Sequence, residues 1–408
     1  MGRLLVAACA GAALLSPALA GAYEFDLGVD LRAISTDATQ SRLTGGLGKL
    51  RFDGDQDGVR LGYVRMGYRA DPTETVRVAV EGVAYGDHDV NAVDLLEAYA
   101  DWRPIPSSLW RSRVKLGAFY PEISLENRMQ GWRSPYTLSF SAINTWIGEE
   151  FRTIGAEYSL DWLGRSHGHD FDFTLSAAGY GWNDTAGTVI ALRGWGLHDR
   201  QSTLFGRYAH NGTPLSESTL FYDDLDKRAG YYVSAAANYR GLVELRALHY
   251  DNRANLAAES QKIHDAAWLT YFDSYGARWT PNDDWTVIGQ WLHGRTYVDA
   301  ELPHEAWSYN SEFLLASLKH GAMRYSVRYD RFEMQQTYSS FEYLPFLLAD
   351  SGHAWTVAAI RDFNQHWSVA LEGIQSVSSA PLRPLLGQPA YAREQMLQLA
   401  VRYDLSFP

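Results

Sequence analysis

The chain has 408 residues, a formal net charge of −12 and one cysteine, Cys9. Aromatic residues make up 13% of it, with 25 Tyr and 14 Trp, yet the mean hydropathy is only −0.27. The acidic balance argues against nucleic acid as a partner, and a single cysteine excludes an internal disulfide framework. Many aromatic residues at low mean hydropathy are typical of strands with one apolar face, with Trp and Tyr at membrane interfaces.

The first twenty residues carry the pattern of an export signal. Arg3 gives a short positive region, residues 4–15 are apolar, and Ala18, Leu19 and Ala20 form a small-residue cleavage site. We therefore predict a signal peptide over 1–20 and a mature chain over 21–408. Because Cys9 lies in the signal peptide, the mature chain would contain no cysteine.

About sixteen strand-like segments follow in the mature chain. The first five lie near residues 23–31, 58–69, 76–85, 93–102 and 110–119, and a sixth begins at Arg152 after a stretch of about thirty residues. Short turns and long connections alternate from there to the last strand, which has an apolar residue at every second position from Leu397 to Phe407.

This rhythm predicts an all-β fold, a transmembrane antiparallel β-barrel in the outer membrane of a Gram-negative bacterium. With both ends in the periplasm, every short turn lies on the periplasmic side and every long loop lies outside. The apolar runs of the mature chain are too short for a membrane-spanning helix. The strand count is open by about two, because residues 183–227 could contain another hairpin. A soluble β-sandwich or propeller is the alternative fold.

The fifth strand carries the strongest candidate for function. Arg111, Arg113 and Lys115 alternate with Ser112 and apolar residues, so all three cations share one face. A cation that faced lipid near the midplane would cost about 2–4 kcal/mol, so this face is predicted to line the lumen. The same argument predicts that four further cations point into the lumen: Arg246, Arg324, Arg328 and Arg402.

Two interpretations of these cations remain open. A row of cations in a narrow aqueous tube lowers the entry cost for an anion, so the row could be an anion pathway. Alternatively, the cations pair with acids of the lumen and brace the wall. The candidate partners are Glu244, Asp330, Glu372 and Asp404.

Residues 99–157 resemble a known family. The segments YADWRPIPSSLWRSRVKLGAFYPEISLENRMQGW and SPYTLSFSAINTWIGEEFRTIGAE are similar to porin-type channels of Gram-negative bacteria, nearest to the phosphate-selective porins O and P. The resemblance implies sixteen strands, a third loop folded into the lumen and a homotrimer. The chain departs from the family at its end, where Pro408 follows the aromatic Phe407. Because this chain has few lysines, a phosphate-specific site is not carried over.

The stretch 120–150 follows the fifth strand, where the family has its constriction loop. Acids in this loop that faced the basic wall would set a transverse field and select polar solutes. Alternatively, its charges pair and the aromatic residues Trp132, Tyr136 and Trp146 pack the loop against the wall. The charged residues of the loop are Glu122, Glu126, Arg128, Arg133, Glu149 and Glu150.

No other motif indicates catalysis or a cofactor. Asp53, Asp55 and Asp57 match the first half of a calcium loop, but its twelfth position is Val64 and not Glu, so a weak external calcium site is the most they suggest. Neither a GxSxG elbow nor an HExxH motif occurs in the chain.

The sequence therefore favours a porin, through which small hydrophilic solutes or inorganic ions diffuse passively. Its partners would be those solutes, the lipid and lipopolysaccharide of the outer membrane, and two further copies of the chain. The alternatives are a closed barrel that acts as scaffold or receptor, with its lumen plugged by salt bridges and by loops near 183–227, and a barrel-borne hydrolase. Charge preference stays open.

Overall fold

The protein is a closed antiparallel β-barrel of sixteen strands. The computed structural model describes residues 22–87, 93–207, 221–260, 265–298, 305–338 and 348–407, so the predicted signal peptide lies outside the described residues. In chain order the strands are β1 Tyr23–Thr36, β2 Gly58–Thr73, β3 Val76–Ala84, β4 Val93–Trp102, β5 Trp110–Phe119, β6 Thr153–Trp162, β7 Phe171–Gly181, β8 Gly230–Tyr239, β9 Val243–Asp251, β10 Leu269–Trp279, β11 Trp285–Val298, β12 Glu305–His320, β13 Met323–Tyr338, β14 Ala349–Asp362, β15 Trp367–Ser379 and β16 Tyr391–Phe407.

Each strand pairs with its neighbours in the chain, and the last strand closes the ring on the first. The β1–β16 ladder has twelve residue pairs, from Phe25–Phe407 to Thr36–Met396. Closure leaves no strand edge unpaired, as a barrel in lipid requires. The predicted count of sixteen is confirmed, and the described part of 182–229 contains no additional barrel strand.

Short turns and long loops alternate around the barrel as the sequence predicts. Three long loops matter for the lumen: loop L1 covers residues 37–57, loop L3 covers 120–152 and loop L4 covers 182–229. L3 contains the helix α1, Ala142–Glu150, and L4 contains the short helix α2, Thr188–Arg193. No helix among the described residues is long and apolar enough to cross a membrane.

The outer wall is apolar because the strands alternate with period two. On β16, Leu397, Leu399 and Val401 are exposed, whereas the intervening Gln398 and Ala400 are buried. The same holds on β14, where Trp355 and Val357 point outward on either side of buried Thr356. This outward face, with its exposed Trp and Tyr residues, is the surface that lipid covers.

The main apolar cluster lies inside the lumen. Residues of L3 and L4 such as Trp146, Ile147 and Trp195 pack there against side chains that point inward from the wall. The inner face is correspondingly apolar along several strands from β7 to β13, through Tyr180, Tyr232, Tyr250, Phe272, Ile288, Leu292, Phe313, Leu315 and Phe332. This part of the lumen is therefore a packed interior and not a water-filled tube.

Candidate functional site

The basic residues of β5 lie on the inner face of the barrel, and two of them have acidic partners. Arg111 pairs with Asp161 at 2.7 Å, and Arg113 pairs with Glu122 of L3 at 2.8 Å. Lys115 differs from both. Its Nζ lies 4.0 Å from Glu122 Oε1 and finds no hydrogen-bond acceptor among the described residues, although the ring of Tyr99 faces it at 5.2 Å.

The other predicted lumen cations also point inward, and most of them are paired. Arg246 pairs with Glu244 at 3.0 Å, and Arg402 pairs with Asp30 at 2.8 Å. Arg324 has no carboxylate within 4.0 Å among the described residues. Its guanidinium donates a hydrogen bond to the Ser317 hydroxyl and lies over the ring of Tyr136 in L3. The wall therefore shows much of the bracing that the sequence left as one of two interpretations.

Loop L3 crosses the lumen from its root at β5 and β6 to the opposite wall, at β13 and β15. There the backbone N–H of Leu138 donates to Glu372 on β15 at 2.5 Å, and that of Ala142 donates to Asp330 on β13 at 3.1 Å. Ser141 caps α1 by accepting from the Asn144 backbone N–H. The third loop is thus folded into the lumen, as the resemblance implies.

A buried arginine fixes L3 at its far end. Arg328 of β13 pairs with Glu126 of L3 and with Asp330 of its own strand, each at 2.7 Å, and all three side chains are almost fully buried. The same guanidinium donates to the carbonyl oxygens of Ser139 and Phe140. Glu126 and Arg328 therefore act as an anchor that positions the loop.

The remaining charged residues of L3 contact three different surfaces. Arg128 pairs with Glu244 of β9, and Arg133 pairs with Asp404 of β16 at 3.2 Å. Glu149 faces L1 and L4, where it pairs with Arg42 at 2.6 Å. Of the six predicted constriction residues, Glu122 is the one whose side chain stays half exposed, at 47%.

Glu150 ties the helix of L3 to the helix of L4. Its carboxylate accepts hydrogen bonds from the backbone N–H groups of Gly187 and Val189, at 3.1 and 2.9 Å, and from the indole of Trp146. Burial raises its pKa to about 7, even though these hydrogen bonds favour the charged form. Glu150 is therefore a titratable contact between two loops inside the lumen.

A cavity of about 600 Å³ lies between L3 and the wall formed by β2 to β5. We call it the vestibule. Its lining carries charges of both signs, together with the aromatic rings of Tyr99, Tyr120 and Trp132. The charged lining residues are Arg69, Lys115, Arg128, Arg246, Glu81, Glu97 and Glu122. The vestibule is large enough for a small solute and polar enough to hydrate it.

A second void between L3 and the wall is much smaller than the vestibule. The void between L3 and the wall at Tyr63, Arg65 and Leu96 measures about 10 Å³, roughly the space of one water molecule. Asp199 and Gln201 of L4 line this void. The sequence predicted that L3 forms the constriction, and that prediction did not include L4. The loops near 183–227 were named only in the alternative hypothesis, as segments that plug a closed barrel. The apolar run Val189–Leu192, in an otherwise polar loop, was the available signal.

The structure gives another role to two of the three aspartates in the predicted calcium loop of L1. Asp53 caps a short helical turn and accepts from the backbone N–H of Ser41, whereas Asp57 accepts from that of Thr36. Their carboxylates are thus used to hold the backbone of L1. The one group of three potential ligands among the described residues is Asp184, Asp224 and Asp226 of L4.

Comparison with known proteins gives structural neighbours only. No protein-family model matches the chain, and no curated protein sequence matches it. The outer-membrane channel DcaP of Acinetobacter baumannii matches with a TM-score of 0.53 at 10% identity, over 94% of this chain and 97% of that one. The anion-selective porin from Comamonas acidovorans also has a TM-score of 0.53 at 10% identity, over 94% and 100% of the two chains.

A third neighbour is the Salmonella typhi OmpF complex with daunomycin, with a TM-score of 0.52 at 10% identity over 94% of this chain and 97% of that one. Identities this low establish the fold and not the activity. The chain therefore has the fold of Gram-negative outer-membrane porins. Its apolar outer wall fits the predicted location in that membrane, whereas the assignment to the phosphate-selective group finds no support.

Proposed function

We propose that the protein is an outer-membrane channel for small hydrophilic solutes, narrowed by L3 and L4, with a moderate preference for anions. The observation that carries this proposal is the vestibule, a polar cavity of about 600 Å³ inside a sixteen-strand barrel. A barrel of sixteen strands is wide enough for an aqueous path, whereas eight strands enclose little more than packed side chains. The channel would use no cofactor and catalyse no reaction.

The preference for anions rests on the balance of charge in the vestibule. Its lining has four cations and three acids. Lys115 has no hydrogen-bond acceptor among the described residues, so its ammonium is available to a solute. The arginines around it are largely neutralised, which is why we expect a moderate preference and not strict selectivity.

Conductance across a planar bilayer tests the proposal, with the reversal potential measured in a salt gradient. The folded protein should give discrete conductance steps, and the sign of its reversal potential should show that anions pass more readily than cations. Lys115→Met should shift that potential toward cations, because it removes an ammonium of the vestibule whose ion pair with Glu122 is long, at 4.0 Å. Lys227→Met is the matched control, since Lys227 is exposed just before β8 and does not line the vestibule. Folded protein that never conducts, even after the lumen loops are shortened, would exclude a channel.

The second candidate is a closed barrel that serves as a scaffold or receptor. It is favoured by one observation, the burial of residues 183–203 of L4 within the lumen. Assembly as a homotrimer is also part of our proposal. One structural neighbour, OmpT of Vibrio cholerae, is described in a trimer form and matches with a TM-score of 0.51 at 9% identity. Crosslinking in native membranes would measure the number of copies.

A further inference from the structure

Loop L4 fills the lumen beyond the vestibule. Every residue from 183 to 203 is buried, although the segment belongs to a long connection between two strands. It leaves the wall at β7, and Asp199 near its far end reaches Arg32 of β1 on the other side of the barrel. The segment therefore occupies the path that a solute would need between the vestibule and the long loops.

Two buried arginines hold the far end of L4. The carboxylate of Asp199 accepts hydrogen bonds from Arg32 of β1, at 3.2 Å through one oxygen, and from Arg51 of L1, at 3.0 Å. The side chains of both arginines are at most 1% exposed and that of Asp199 is 6% exposed. One carboxylate thus ties L4 both to the barrel wall and to a second loop. We call this group the latch.

Further contacts next to the latch are made mainly by the backbone of L4. The Leu197 N–H donates to the carbonyl of Lys49 at 2.8 Å, and the Trp195 N–H donates to Asp350 of β14 at 2.8 Å. The Trp195 indole donates to the carbonyl of Glu333 on β13 at 2.9 Å. L4 is thus fixed by these polar contacts together with the apolar packing of Trp195 and Leu197, whereas the strand ladders cannot open without exposing unpaired edges.

We propose that the buried segment 183–203 of L4 is a strap that keeps the lumen closed at rest, and that Asp199 with Arg32 and Arg51 is its latch. The inference rests on the proposed channel function. Opening moves L4 out of the lumen and joins the vestibule to the long-loop side, while the barrel and L3 stay in place. L3 keeps its own anchor on the opposite wall, where Arg328 pairs with Glu126.

Single-channel recording of latch variants tests the strap. Asp199→Asn removes the carboxylate that Arg32 and Arg51 share and leaves them only their pairs with Asp30 and Asp87, so the open probability should rise about tenfold or more. A variant with residues 188–200 replaced by a Gly–Ser linker should stay open. Asp170→Asn is the control: it also removes one paired carboxylate, but at a short turn, where Asp170 pairs with exposed Arg240. It should conduct like the wild type.

The outcomes separate the strap from the channel. Equal open probability in the wild type and both L4 variants overturns the strap and leaves the channel intact. Absence of conductance in L4 variants that are folded, as judged by their heat-dependent migration on a gel, overturns the channel and the strap with it.

Cysteine labelling provides a test that does not depend on the folding of a latch variant. The only cysteine, Cys9, lies in the predicted signal peptide, so an introduced cysteine is unique in the mature chain. Leu197→Cys, at a fully buried position, should react with a maleimide at least about tenfold more slowly than Leu385→Cys, at a position that is 60% exposed. Equal rates would show that L4 is not held in the lumen, and would overturn the strap.

Discussion

Arg328 shows how much a single lumen residue contributes to holding the loops. It lies between Glu126 and Asp330, and all three side chains are at most 1% exposed. Replacing Arg328 with Met would leave two carboxylates buried without their cation. We expect the free energy of unfolding to fall by about 3–5 kcal/mol, measured by denaturant titration of the barrel in detergent or lipid.

Arg331 is the matched control for this experiment, because it lies three residues further along β13 and faces outward. Its side chain is 63% exposed and pairs with Glu312 at 3.6 Å, so Arg331→Met should cost less than about 1 kcal/mol. Equal losses of unfolding free energy in the two variants would show that burial of the ion cluster does not determine its contribution to stability.

Glu150 makes the stability of the protein depend on pH. Its pKa is about 7 in the folded protein against 4.5 as the ordinary value, because burial disfavours the carboxylate. The folded state therefore holds the proton more tightly than the unfolded chain. This contribution to stability is fully present below pH 4.5 and is lost as the pH rises through 7, by at most about 3 kcal/mol.

Stability measured between pH 5 and pH 7 tests this linkage. The wild type should lose stability across this interval relative to Glu150→Gln, which cannot titrate at this position. The interval avoids two opposing groups. Asp199 has a pKa below its usual range, because Arg32 and Arg51 outweigh the effect of burial, so it titrates only in acid. Burial lowers the pKa of Lys49 to about 8. Parallel curves for the two proteins would contradict the assignment to Glu150.

At the scale of elements, the helix α1 depends on aromatic packing more than on its own length. Trp146 is fully buried and meets Trp195 of L4, Phe272 of β10 and Tyr309 of β12 at ring-centroid distances of 4.8–5.7 Å. It therefore joins two loops to the wall. Trp146→Ala should lower the free energy of unfolding by about 3–5 kcal/mol, through the lost contacts and the cavity left behind.

The control for this variant is Trp355→Ala on the outer wall. Trp355 is 52% exposed and stacks against Tyr329 alone among the aromatic residues described. Its loss should change the unfolding free energy much less, and circular dichroism of the β-sheet signal can follow both variants. A larger effect at Trp355 than at Trp146 would argue that the lumen cluster adds little to the stability of the barrel.

The strands could be predicted from the sequence, whereas most of the loop arrangement could not. Alternation with period two marks β5 and β16 clearly, because one face meets lipid and the other meets polar side chains. The prediction that the inner face is polar fails on β10 to β12, where Phe272, Ile288 and Phe313 point inward against the loops. These strands carry apolar residues on both faces, with polar residues such as Thr270 and Gln290 among the inward ones, so their pattern does not reveal which side meets lipid.

The partners in the ion pairs across the lumen could not be predicted from the sequence either, for a different reason. Asp199 meets Arg32 and Arg51 from positions more than a hundred residues away along the chain, and no local spacing encodes that contact. The direction of each cation followed from strand alternation alone. Its partner depended on where L3 and L4 fold, and that is decided by tertiary packing.

For the whole molecule, the alternation of short turns and long loops fixes one orientation in the membrane relative to the chain ends. If the short turns face the periplasm, a cysteine placed in one of them is out of reach of an impermeant maleimide in intact cells. Asp283→Cys, exposed in the turn between β10 and β11, should therefore be labelled only after the cells are permeabilised. Leu385→Cys, exposed in the long loop between β15 and β16, should be labelled in intact cells.

This pair is a controlled test because both positions are exposed and the mature chain is predicted to contain no other cysteine. The reverse pattern would place the long loops in the periplasm, and the vestibule would then open to the cell exterior. Since the vestibule lies on the short-turn side of L3 and L4 lies beyond it, orientation also decides where the strap acts. With the expected pattern, L4 closes the lumen toward the exterior, and a solute in the periplasm reaches Lys115 without passing the latch.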